Sequence, residues 1–463
     1  MRQSRHYGRT NVLALVMVVG MLSIAGGEVQ ASSSLIIPVT PARNSEEGSP
    51  SLARRISPTL SSSACSVPGD YATIQEAVAD LDCDAIAVSA GTYEEEITIS
   101  RDLTVRGTGG TSVIKAPGVF MGSPRAILRV TAGASVTIEK LKITGPGPLD
   151  DDDGLIGVLV DHGAIATIRN NTITTLRPPG KEIGTGSNFI GVSVGSAANA
   201  TTGIATIVQN RIENYQQAGI VIDGVGSSAT VSGNIVLGTG LHTDGQAVSH
   251  GIQISRGAGA DVVHNVVRDH RYQSLTRSAG ILVFDAGDSL ATLEHNTTLG
   301  NDIGIWVIGT DNAVIEHNGA RDSVYDGIAL ENQNATSLGL AVNETTDGHS
   351  VRFNSTSRNG GAGIVLRSSN NNVVAVNRGK KNAETGVRLT CACDYTVNPS
   401  CAPGCGASPD FQPNAHGNTV TKNRYKNNGV GMVDESTGGS GPGGVDNNYA
   451  RTGCKLYEPD KVL

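Results

Sequence analysis

Apolar and polar residues alternate along this chain at a period of two, in short runs that recur. From Gly157 onward the unit reads Gly, apolar, any residue, apolar, a turn, then a β-branched run closing on Asn. Examples are GVLV at 157 with ATIRNN at 166, GIVI at 219 with ATVSGN at 229, and GIWV at 304 with AVIEHN at 313. Nine copies are present, with the closing Asn at 171, 210, 234, 265, 296, 318, 354, 377 and 423. Period-two alternation predicts strands. The shortest units run about 22 to 24 residues, enough for two or three short strands and their turns. A leucine-rich framework is absent, and tetratricopeptide or ankyrin units are longer and helical. The expected fold is therefore all-β, a right-handed single-stranded parallel β-helix in which each coil stacks on the last.

Composition acquires meaning from that pattern. Of 463 residues, 59 are Gly and only 16 are aromatic, so columns of Ile, Val and Leu must fill the core. Asn suits a tight turn because it tolerates left-handed dihedrals, and amides stacked in one column can bond to each other. Charged residues are 17% of the chain, which excludes a polyelectrolyte.

The ends read differently. Residues 1–31 have the pattern of a secretory signal: Arg2, Arg5 and Arg9, an apolar stretch from Val12 to Ile24 too short for a span, and small residues near Ala31. Residues 32–63 are Ser/Pro-rich, and we expect a disordered linker. The β-helix domain is expected over 64–430, with regular repeats over 154–430, a Cys-rich insertion at 390–417, and a Gly-rich tail or cap at 431–463. Without the leader the chain has 32 basic and 42 acidic residues, net −10. An acidic secreted or cell-surface protein is not expected to bind nucleic acid. No membrane span is expected, and the anticipated state is a monomer.

The seven cysteines lie at the two ends. In an oxidising compartment disulfides are expected. Cys65 with Cys83 would staple the N-terminal end. Cys391, Cys393, Cys401 and Cys405 cluster without neighbouring His, a poor zinc template, and Cys454 is left to close on them or stay free. Their connectivity is open.

The chain resembles the right-handed parallel β-helix proteins of the pectate-lyase-like superfamily, with Asn-ladder repeats. YATIQEAVAD at 71, AIAVSAGTYEEEITISRDLTVRGTGG at 85 and SVIKAP at 112 are similar to the beginning of that fold. The resemblance implies a short amphipathic helix there, with Ile74, Ala77 and Val78 inward, capping the open end. It does not extend to particular enzymes. HTDG at 242 and His250-Gly251 only echo polygalacturonase motifs, GTYEE at 91 lacks the partner motifs of pectinesterases, and the DPHD-type motif of mannuronan epimerases is absent.

Coil length points to the expected site. The distance from repeat Asn to the next repeat Gly is 20 after Asn171, 17 after Asn234 and 15 after Asn265, against 8 or 9 elsewhere. Expanded turns on one edge would wall a groove. The segment after Asn234 holds His242, Asp244 and His250. The segment after Asn265 holds Arg268, His270, Arg271, Tyr272 and Arg277, with three Arg against one Asp. A local cationic patch on an acidic chain suits an acidic, uronic-acid polysaccharide. Proton abstraction at C5, by a lyase or an epimerase, needs a base beside a cation that holds the carboxylate. His242, His250, His270, Arg271 and Tyr272 are the catalytic candidates. Arg268, Arg277, Asp244 and Trp306, the lone Trp, are the substrate-binding ones. Asp161 and Asp223, on outward strand positions two coils apart, offer an alternative carboxylate pair for a glycoside hydrolase. A further alternative is a non-catalytic adhesin or glycan-binding protein. Asp150, Asp151, Asp152 and Asp153 form a run of carboxylates that could hold Ca2+.

Overall fold

The computed structural model describes residues 64–146, 154–177, 189–242, 248–273, 277–287, 291–332, 346–390, 415–434 and 456–457. The chain winds through three parallel sheets of 13, 12 and 13 strands. Each coil passes from the first sheet (which opens with Ala64–Val67) to the second (opening with Gly91–Glu94) and the third (opening with Ile97–Ile99), then returns. This is the parallel β-helix the repeat predicts. Leader, linker, Asp150 to Asp153, Asp244, and Cys391, Cys393, Cys401, Cys405 and Cys454 lie outside the described residues.

Strands of neighbouring coils pair in register, so one alternation sorts every side chain. Val158, Val192, Ile220, Ile252, Ile281, Ile305, Ile328, Ile364 and Val387 form an inward column of the third sheet. The core is aliphatic, as the scarcity of rings requires. The repeat glycines stand where coils approach most closely. A Cβ on Gly191 would lie 2.3 Å from the Gly219 carbonyl oxygen, and one on Gly280 2.7 Å from that of Gly304. The neighbouring coil's backbone shares that space with the side chains of Ile212 (2.6 Å) and Asn301 (2.7 Å).

The predicted Asn column is continuous. From Asn171 to Asn377 each amide donates from Nδ2 and from its backbone N–H to the Oδ1 of the next, as at Asn171 (3.1 and 3.0 Å) and Asn377 (3.0 and 2.9 Å). It marks the corner between the first and second sheets. Each Nδ2 also reaches a main-chain oxygen, as Asn210 does to Ile168 (2.8 Å).

The N-terminal helix Ile74–Ala79 forms behind a capping box at Thr73 and Glu76, buries Ile74, Ala77 and Val78, and packs on the first strands of the first and third sheets. Cys65 and Cys83 are joined. The coils continue beyond the expected boundary at 430: Val430–Asp434 extends the third sheet, and Leu456–Tyr457 pairs beside it. No described helix is long and apolar enough to cross a membrane.

Candidate functional site

The expanded segments are strands for much of their length. Ile235–His242 and Val266–Tyr272 are neighbours in the second sheet, with a register shift between Leu237 and Gly240. His250 opens the third-sheet strand His250–Ser255. The residues read as loop are thus sorted by strand alternation: Arg268 and Arg271 are exposed, while His270 and Tyr272 are buried. The register sets His242 opposite Tyr272 and Leu241 opposite Arg271.

His270 occupies a second amide ladder, at the corner between the second and third sheets. Its backbone N–H and its Nδ1 both meet Asn301 Oδ1, at 3.0 and 2.9 Å, the pattern every ladder Asn uses. Nδ1 must therefore carry the proton, and Nε2 accepts from the Tyr215 hydroxyl at 2.6 Å. Both ring nitrogens are occupied, and burial lowers the pKa to about 4, with His242 adding repulsion. The ring is neutral and has no lone pair left for proton transfer.

His250 is held differently. Its Nδ1 accepts from the Ala279 N–H at 3.1 Å, which leaves the proton of the neutral ring on Nε2. Burial, with His270 as a lesser contributor, depresses its pKa to about 3. It can donate a hydrogen bond but cannot act as a base in this state. His242 bonds Thr239 Oγ1 through Nε2 at 2.6 Å.

Beside them Asp302 ties Tyr272 to Ser278. Its Oδ2 accepts from the Tyr272 N–H (2.7 Å) and the Ser278 N–H (3.0 Å). Burial raises this carboxyl, opposed by those two bonds and by Arg277 and Arg271 nearby. Arg277 lies over the ring of Tyr325, 3.8 Å from its centroid. Tyr272, Arg271 and Arg277 thus stand at one edge near Asp302, with His242 on the preceding coil opposite Tyr272; His242 and Tyr272 are buried, whereas Arg271 is exposed. Arg268 stands apart with Asp269, at 3.6 Å.

Along the outer face of the third sheet, Trp306 belongs to a separate apolar cluster with Leu282, Ile303, Ile308, Ala329 and Val365. Its Nε1 donates to Glu331 (3.0 Å), whose carboxylate also meets Arg367 (3.3 Å), and Arg367 pairs in addition with Asp326. Asp161 and Asp223 do face outward, but each is locked by a guanidinium. Arg129 grips Asp161 through Nη2 (2.5 Å) and Nε (3.2 Å), and Arg256 grips Asp223 (2.5 and 2.7 Å). Burial pushes Asp161 up, yet the bonds from Arg129 and His162 bring it below the usual range. Each carboxylate is thus neutralised by a guanidinium from a neighbouring coil.

Asp302, Tyr325, Asp326 and Arg367 were not read as site residues. The available signal was position: Asp326 immediately precedes repeat Gly327 as His250 precedes Gly251, so both open the same outward column. Among the described residues no group of three or more His, Cys, Asp or Glu is arranged to hold a metal ion.

The family model described as right handed beta helix region matches residues 126–320 and 279–450. Among solved structures, the Dettilon tailspike protein is 14% identical at a TM-score of 0.50, over 74% of this chain. This chain spans 62% of that tailspike's length. The catalytic domain of a GH87 alpha-1,3-glucanase in complex with tetrasaccharides is 12% identical at a TM-score of 0.53, covering 85% of this chain and 69% of its own. A periplasmic alginate epimerase is 13% identical at 0.47, over 81% and 76%. No curated protein matches the chain. Likeness at this identity establishes the fold alone.

Proposed function

Because the chain belongs to the right handed beta helix family, we propose that it is secreted and processes an acidic, uronic-acid polysaccharide by abstracting the proton at C5, as a lyase or an epimerase. The observation that carries the reading is the in-register pairing of His242 with Tyr272 beside Arg271 and Arg277. Arg271 and Arg277 would hold the uronate carboxylate, which acidifies the C5 proton by stabilising the charge that develops on its removal. With His250 and His270 unsuited as bases, His242 or Tyr272 would take that proton. His250 would donate its Nε2 hydrogen to an oxyanion.

The test is incubation of the mature protein with alginate, pectate and glycosaminoglycans. Ultraviolet absorbance reports unsaturated product, and proton NMR reports epimerised residues. Arg271→Ala and Arg277→Ala should each lower kcat/KM about a hundred-fold, whereas Asp161→Ala should not. No turnover of any of the three polymers would sink the proposal. Binding without turnover would support the glycan-binding alternative, which draws on the Arg277 and Tyr325 pair, Trp306 being buried in its cluster.

A further inference from the structure

The residue before each ladder Asn turns the corner in left-handed conformation, and this forces its side chain outward in register with its neighbours. At four successive coils that residue is His264, His295, His317 and Phe353, with φ of 59°, 54°, 58° and 56°. All four are exposed. The rings stack face to face at 4.8 Å between centroids, with interplanar angles of 3°, 10° and 9°. Face stacking hides the ring faces and leaves the edges, so the row is unsuited to stacking on a flat ligand. The edges carry six imidazole nitrogens, and none has a hydrogen-bond partner among the described residues. That differs from His242, His250, His270 and His349, which are buried and bonded.

We propose that this row binds a borderline divalent transition-metal ion, of the Cu2+, Ni2+ or Zn2+ class, between two neighbouring imidazoles, with water completing the shell. Imidazole suits these ions, and Cu2+ heads their affinity order. Metal to nitrogen distances of about 2.0–2.1 Å put two nitrogens on one ion about 3–4 Å apart. Rings stacked face to face aim their in-plane lone pairs parallel to one another, so binding requires a neighbouring pair to leave the stack and turn toward one ion, which exposed side chains can do by χ rotation. His295 is common to both pairs, His264 with His295 and His295 with His317. Without it the outer two imidazoles stand two coils apart, beyond the reach of one ion.

The experiment is titration of the untagged protein with Cu2+ and Ni2+, followed by calorimetry and by electron paramagnetic resonance of the copper form. The native chain should show an ion ligated by two nitrogens. His295→Ala should weaken binding about ten-fold or more, the cost of replacing two-point by one-point ligation. His264→Ala and His317→Ala each leave one pair intact and should bind within about three-fold of native. Phe353→Ala, which removes no nitrogen, should bind as native. Because the four rings are exposed, thermal unfolding of each variant without metal should match the native chain. Binding by His295→Ala equal to native, or a copper spectrum without two nitrogen ligands, would overturn the assignment.

Discussion

Replacing His270 separates a ladder residue from a catalytic one. His270→Ala removes the Nδ1 donor to Asn301, worth about 1 kcal/mol, and leaves the buried Tyr215 hydroxyl without its acceptor, worth about 1–3 kcal/mol. The void left by the ring adds about 1–2 kcal/mol. The total loss should be about 3–6 kcal/mol, a large share of a domain's stability. His270→Asn places an amide where the other ladder residues have one, so it should regain the bond to Asn301 and lose only about 2–3 kcal/mol. Adding Tyr215→Phe to His270→Asn removes the orphaned hydroxyl and should recover about 1 kcal/mol, although Tyr215→Phe alone is destabilising. Urea unfolding of the four variants, read as a double-mutant cycle, gives these differences directly. If His270→Asn is no more stable than His270→Ala, or if Tyr215→Phe gives no rescue, the ladder account of His270 is wrong.

Other consequences can be measured in the same way. His250, His270 and His349 have native pKa values of about 3, 4 and 4 against 6.5, so the unfolded chain takes up protons first on acidification. Their contribution is complete above about pH 6.5 and is lost between about 6.5 and 3, with a slope of up to about 4 kcal/mol per pH unit where all three titrate together. A urea midpoint constant over that range would contradict their burial as neutral rings. Gly280→Ala puts a Cβ 2.7 Å from the Gly304 oxygen and should cost about 1–3 kcal/mol in thermal unfolding. Val376 is a β-branched residue at φ 58°, and Val376→Asn should raise stability by about 1 kcal/mol. An unchanged or lower Tm would show that the corner stores no strain there.

The coils were legible because one constraint repeats at fixed positions: inward Val and Ile, the close-approach Gly, and the Asn at each first corner. Cys65 and Cys83 were legible from their isolation. The second ladder was not, because its column reads Leu176, Tyr215, His270, Asn301, Ser323, Asn359, Asn382 and Asn428, five residues after eight of the nine first-ladder Asn, while in the coil of Asn234 the register shift sets Gly240 opposite His270. Only part of that column is Asn, although Asn359 bonds Asn382 (2.9 Å) and Asn382 bonds Asn428 (3.2 Å). A third, shorter ladder joins Asn372 to Asn418 (2.8 Å) at the remaining corner, with the His349 N–H on Asn372 Oδ1 (2.9 Å). Mixed columns defeat a search for identity, yet they obey the same rule of in-register donors and acceptors. For the site, counting from Asn265 to Gly280 gave length but not conformation. A strand that runs on beyond its usual end and a long turn have the same residue count, and only pairing with Ile235–His242 distinguishes them. Asp161 and Asp223 were correctly read as outward, but their guanidinium partners sit on neighbouring coils, which no local motif reveals.

In-register stacking makes the length of this protein a counted quantity. Thr297 pairs with Gly319 and Ile305 with Ile328, and Asn296 and Asn318 hold equivalent places in the ladder. Excising residues 297–318 would join Asn296 to Gly319, a residue already in the position that Thr297 vacates. Everything beyond the cut would then move back by one strand spacing and rotate with the sheet twist, keeping its face. Such a chain can shorten or lengthen by whole turns without redesigning a core. The faces along its side would lengthen one strand spacing at a time, as a ruler lengthens by its markings.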